Sequence, residues 1–190
     1  MLRICQFFLF SLSILTATVA KSAGLSDMSF IDQENRPVAF NKWAGQFIVL
    51  SFVYASCPMP EMCPLTMAIN KKIHARWIKK NKPFPLHFAI ATLDPEEDGP
   101  KEMKEYADAN KAPLEDFSFL TGSESAMADL ASFFDSAPIP GGSLKSHKVV
   151  TVLLGPNLEV IKKFTGNKYS YENIASAVRS LKSKPTLKTK

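Results

Sequence analysis

The chain is sparing with the side chains that most chemistry needs: it has three cysteines and three histidines in 190 residues. The only imidazoles to weigh are therefore His74, His87 and His147. Charge of one sign is also scarce, since 23 Lys and Arg against 18 Asp and Glu leave a formal charge of +5. That excess is scattered, apart from a solvated basic tail at 183–190, and no DNA or RNA recognition motif accompanies it. Both facts argue against a nucleic-acid partner. There is no internal repeat and no linker inside residues 30–182, so one domain is expected over 29–182. With 46% hydrophobic and 22% charged residues, that domain can bury a core without help from a disulfide or a metal. A close pair of cysteines therefore invites a chemical reading.

The apolar run at the start, Ile4 to Val19, is short for a membrane-spanning helix, which needs about 20 residues. It follows the positive start Met1-Leu2-Arg3 and ends on the small residues Thr18-Val19-Ala20. This pattern reads as a secretory signal peptide over 1–20, with an uncleaved anchor as the alternative. The expected location is exported: periplasmic, or membrane-anchored facing the periplasm. Cys5 would leave with the signal. Cys57 and Cys63 then remain as an even pair in a compartment that permits disulfides.

Strands and helices are expected to alternate. Ser29-Phe30-Ile31 and Pro37-Val38-Ala39-Phe40 flank a turn-rich run and predict an N-terminal β-hairpin. Phe47 to Tyr54 and Leu86 to Leu93 are nearly unbroken apolar runs, as in strands buried on both faces. Between them Pro64 opens a helix, since the first helical position needs no N–H donor. Leu65, Ile69, Ile73 and Trp77 recur every four residues and predict its buried face. A helix over about 100–110, a strand over 117–120 and a helix over 124–134 follow. Strands over 149–154 and 158–164, joined through Gly155-Pro156-Asn157, precede a last helix over 171–181. The order implies an α/β fold of thioredoxin-like plan, with a central mixed sheet flanked by helices.

Cys57-Pro58-Met59-Pro60-Glu61-Met62-Cys63-Pro64 falls between a strand end and a helix start, where that plan places reactive thiols. The field of the helix N-terminus is expected to lower the thiol pKa, and that of Cys63 most. Two thiols on a proline-stiffened loop can chelate a soft ion or form a disulfide. His147 stands at the start of a strand, after the loop Pro138–Ser146, which in such a fold abuts the thiols. His74 reads as a surface residue and His87 as a packing residue of a buried strand. Two thiolates and one imidazole suit copper, Cu(I) or Cu(II), whereas a zinc site would prefer a fourth protein ligand.

Five segments in order resemble the Sco/SenC family: Phe30 to Val38, the cysteine loop, Leu93-Asp94-Pro95-Glu96-Glu97-Asp98, Leu120-Thr121-Gly122-Ser123 and Ser146-His147-Lys148. The resemblance covers nearly all of 29–182. It implies a copper chaperone serving the dinuclear copper site of a respiratory cytochrome oxidase, with Cys57, Cys63 and His147 as metal ligands. The implied partner is the copper-bearing oxidase subunit, joined by other copper chaperones or thioredoxin-like reductants. One departure stands out: five residues separate the thiols, where the family has three. The longer loop brings in Met59 and Met62, either as soft ligands or as packing. Asp94 and Asp98 either tune the thiols and position a partner, or end a strand and cap the next helix.

Two other readings use the same pair. A thiol-disulfide oxidoreductase would cycle Cys57 and Cys63 as a redox-active disulfide, acting on the cysteines of the copper site or as a redox sensor. Such enzymes usually have proline where this chain has His147, which favours the non-enzymatic metallochaperone. A purely structural disulfide in a binding module would leave both thiols without metal.

Overall fold

The computed structural model of the chain describes residues 24–137 and 148–182. The leader at 1–20, the basic tail at 183–190 and His147 lie outside the described residues. The strands are β1 Phe30–Asp32, β2 Pro37–Val38, β3 Phe47–Val53, β4 Leu86–Thr92, β5 Phe117–Thr121, β6 Val150–Leu154 and β7 Val160–Thr165. The helices are α1 Cys63–Lys79, α2 Pro100–Ala109, α3 Glu124–Phe133 and α4 Tyr171–Lys182. Short 3-10 turns occupy Leu25–Asp27 and Phe40–Trp43.

Every residue of β3 and β4 is buried, as their apolar runs predict for the middle of a sheet. The seven strands form one mixed sheet in the order β2-β1-β5-β4-β3-β6-β7. β3, β4 and β5 run parallel through the α1 and α2 crossovers, and the other pairings are antiparallel. The β3–β4 register pairs Phe47 with Leu86 and Val53 with Thr92. Both strands therefore end together, and the loops carrying Cys57 and Asp98 leave from the same edge.

Side chains alternate across the strands with period two. Phe47, Val49 and Val53 of β3 meet Met67, Ile73 and Trp77 of α1, with α2 and α4 on the same face. Ile48, Leu50 and Phe52 meet Phe40, Trp43 and the α3 residues Met127, Leu130 and Ala131 on the other. Each large side chain sealed in this way contributes roughly 1.5–3 kcal/mol.

The buried face of α1 differs from the expected stripe. Ile73 and Trp77 are buried, but Leu65 is 37% exposed and Ile69 only partly covered. Residues four apart advance by about 40° around a helix of 3.6 residues per turn, so a strict four-step series drifts off the core. Cys63, Thr66, Met67 and Asn70 occupy the core side of the N-terminal half instead. Two of these are polar and are satisfied by distant partners. Asn70 donates to Ser51 Oγ at 3.0 Å and accepts from Tyr169 Oη at 2.8 Å.

Two of the three turns and caps named from sequence hold in a modified form. Asp32 ties the β1–β2 hairpin by accepting from the backbone N–H groups of Glu34 and Arg36, both at 3.0 Å. The β6–β7 connection extends through Leu158, whose φ is 63°, so β7 starts two residues later than Leu158. α2 is capped by the backbone of Gly99 with no side-chain acceptor, so neither Asp94 nor Asp98 is its cap.

Candidate metal centre

β3 ends at Val53 because the chain must turn away from the sheet edge to reach α1. Cys57 N–H donates back to Tyr54 O at 3.2 Å and Met62 N–H to Met59 O at 3.1 Å. These two turns fold the five intervening residues into a compact loop. They bring Cys57, which is half-buried, beside Cys63, which is buried at the first position of α1. Both are free thiols, and Cys57 packs against the buried cluster that contains Cys63. The longer spacing thus still brings both cysteines to one cluster.

Three anchors hold the loop. Tyr54 N–H points at Cys63 Sγ at 3.4 Å. Asp98, 2% exposed, accepts from Ala55 N–H at 2.9 Å and from the Thr92 hydroxyl at 2.6 Å. Asn167, from the turn after β7, donates to Glu61 O at 2.9 Å, and Thr66 Oγ1 lies 2.9 Å from Asn167 Oδ1. The role of Asp98 is therefore to pin the base of the cysteine loop to the end of β4. Asp94 serves its own turn, with Glu97 N–H 3.4 Å from its Oδ1.

The electrostatics reverse one expectation. Burial raises the Cys63 thiol well above its usual value, and contact with Cys57 adds to the rise, against the lowering effect of Tyr54 N–H. Desolvation outweighs the helix field here, because the sulfur is sealed under the loop instead of facing water. Burial likewise raises Asp98, opposed by the Ala55 and Thr92 hydrogen bonds. Burial thus favours the neutral form of the Cys63 thiol.

Met62 packs against the core cluster, which fits the packing reading. Met59 offers its carbonyl to Cys57 Sγ at 3.9 Å. His87 is a packing residue, as expected: it stacks on Trp43 at 4.6 Å, and its Nε2 lies 3.0 Å from Ser118 Oγ. His74 is not an ordinary surface residue. Its Nε2 lies 2.9 Å from Asp116 Oδ2, and its ring meets Phe88 and Phe117 edge-on. Among the described residues no three of His, Cys, Asp and Glu cluster as a metal site, so the candidate ligands among them are the two thiols. Sequence reasoning missed Asn167; its role depends on contacts across the fold, and it carries no local signal.

A thioredoxin-like sheet with a paired-thiol loop between β3 and α1 defines the class of protein. Residues 17–183 match the SCO1/SenC family, and the chain belongs to that family. It is 28% identical over 159 residues to the SCO1 protein homolog of Bacillus subtilis, covering 80% of this chain and 79% of that one. Among solved structures, ScoI of Arabidopsis thaliana with copper bound superposes with a TM-score of 0.67 at 20% identity, over 83% of this chain and 97% of that one. BsSco, described as having a disulfide switch and as a member of the Sco family of cytochrome c oxidase assembly proteins, superposes with a TM-score of 0.68 at 24% identity, over 83% and 92%.

Proposed function

We propose that this protein binds one copper ion through Cys57 and Cys63, with His147 as third ligand, and delivers it to the dinuclear copper site of a respiratory cytochrome oxidase. The observation that carries the reading is one buried and one half-buried free thiol on a single loop at the carboxyl end of β3, with Cys57 packed against the cluster that holds Cys63. Two soft sulfurs select Cu(I), and an imidazole extends the set to Cu(II). Uptake releases the two thiol protons as two copper–sulfur bonds form, so a partner that supplies its own thiolates can take the ion by stepwise exchange. The half-exposed Cys57 is the sulfur such a partner reaches first. The apolar leader at 1–20 supports action outside the cytoplasm, in the periplasm or at its membrane face. Among the described residues no helix is long and apolar enough to cross a membrane.

The test is an anaerobic titration of the reduced protein with Cu(I) and then Cu(II) against a competing chelator. One ion per chain is expected, and a stoichiometry near zero overturns the proposal. The placement of two free thiols on one loop also favours a second reading, reversible oxidation to a Cys57–Cys63 disulfide that acts on the partner's cysteines. His147→Ala separates the two. A copper site loses Cu(II) and retains some Cu(I) on its sulfurs, whereas an oxidoreductase changes its rate with no change in metal occupancy.

A further inference from the structure

α1 is a helix of one charge. Residues 63–79 carry Lys71, Lys72, Arg76 and Lys79 and no Asp or Glu. Arg76 and Lys79 suit the carboxyl end of a helix, where cations meet the negative end of its dipole. Lys72 lies further back, beyond the reach of that account. Leu65, Ile69, Lys72 and Arg76 follow one another at helical spacing, so they share one outward face. Leu65 is 37% exposed and Ile69 half-buried. The face therefore starts apolar beside the cysteine loop and turns cationic away from it.

A groove of about 440 Å³ runs along this face. Ile69, Lys72 and Arg76 line it from α1, and Lys168 and Tyr171 line it from the segment that leads into α4. Asn167, also in the lining, donates to Glu61 O of the cysteine loop, so the groove is continuous with the thiol site. Lys72 and Lys168 are exposed and, among the described residues, pair with no acid. Glu172 is the acidic group of the lining; it lies 3.7 Å from Arg76, and both are exposed. Such a pair contributes little and gives way to a competing carboxylate. Three cations against one acid leave the lining positive. Its shape and length select the occupant. A concave groove does not match a flat bilayer. From Leu65 to Arg76 the face runs about 17 Å, the length of roughly five residues of extended chain and more than one small anion covers.

We propose that this groove docks an acidic, extended segment of a protein partner, with carboxylates along Lys72, Arg76 and Lys168 and an apolar side chain on Leu65. The inference rests on the reading above only in taking the docked protein to be the one that exchanges metal at Cys57. Opposite charge along the groove draws the partner in and sets its register, and the apolar end leaves it beside the cysteine loop.

The experiment uses the full chain, reduced and metal-free, and a decaglutamate peptide ending in leucine. Amide NMR shifts on titration are expected to concentrate at residues 65–76 and 167–173. A Lys72→Glu, Lys168→Glu variant should bind the peptide about tenfold more weakly than a Lys101→Glu, Lys111→Glu variant of the same net charge, because only the first pair lies in the groove. Equal affinities of the two variants, or shifts spread over the lysines of every face, overturn the proposal, since general attraction to a basic protein then suffices. A response of the groove residues to phosphatidylglycerol vesicles and not to the peptide overturns it in favour of a lipid surface. Copper stoichiometry of the same samples separates this inference from the reading it rests on. A chain that takes copper and ignores the peptide loses the docking surface alone. A chain that seats the peptide in the groove and takes no copper keeps the surface and loses the copper reading.

Discussion

The face of the sheet under α1, α2 and α4 and the face under α3 are built from the same strands with different aims. On the α3 face, Ile48, Leu50, Phe52, Ala89, Leu120, Val152 and Leu154 meet Phe30, Phe40 and Trp43 in an almost wholly apolar layer. On the α1 face, the alternate residues of the same strands admit Ser51 and Thr151, whose hydroxyls lie 3.1 Å apart, and receive Asn70, Tyr169 and Cys63 from above. A buried polar group needs its partners in place, so it specifies the position of a helix more narrowly than apolar contact does. The Ser51–Asn70–Tyr169 network fixes α1 on the sheet, and with it the sulfur at its first position. Both faces supply stability, and the α1 face also supplies register for the thiols.

Substitutions sort by face if this is right. Cys63→Ala on the α1 face should abolish stoichiometric copper uptake, read by chelator competition, while the thermal transition stays cooperative. Leu50→Ala, fully buried in the α3 layer, should cost about 2–5 kcal/mol in denaturant unfolding and leave the copper stoichiometry at its wild-type value. A reversed result, with Leu50→Ala emptying the site at unchanged stability, would break the division.

The α3 face has its own titrating group, His87. Burial lowers its pKa from 6.5 to about 4, with Asp116 partly opposing the shift and Lys42 adding to it. Between those values the unfolded chain binds a proton that the folded chain refuses. Stability from this residue is therefore whole above about pH 6.5 and falls as pH drops toward 4, by on the order of 3 kcal/mol in all. Unfolding curves of wild type and His87→Phe across that window check it, and the variant should lack this part of the slope.

Asp98→Ala should cost about 1–3 kcal/mol by leaving Ala55 N–H and the Thr92 hydroxyl without their acceptor. Asp98→Asn should retain most of that stability, since its amide oxygen can accept in the same place. The smallest effect is expected at Leu65, which the four-step series placed in the core. Leu65→Ser should change stability by no more than about 0.5 kcal/mol, as at other exposed positions.

Leu65 also marks where sequence legibility ended. β3 and β4 could be read because burial on both faces leaves an apolar run that needs no partner to be recognised. The thiol pair could be read because a strand end and Pro64 bracket it. The buried face of α1 could not, because Thr66 and Asn70 look solvated until Asn167 and Tyr169 arrive from about a hundred residues away. His74 hides in the same way behind Asp116, 42 residues on. The acidity of Cys63 was misread in sign because position at a helix start is local, whereas burial is set by the whole fold. Asp98 was noticed, but its bond to Ala55 follows from the β3–β4 register and from nothing nearby in the chain.

The central claim is that the two sulfurs hold copper together with an imidazole, and X-ray absorption at the copper edge of the loaded protein tests it most directly. The account predicts two sulfur neighbours at bonding distance from a single copper, with a nitrogen neighbour that disappears in His147→Ala. A copper shell made only of nitrogen and oxygen would contradict it, because the metal would then sit away from Cys57 and Cys63.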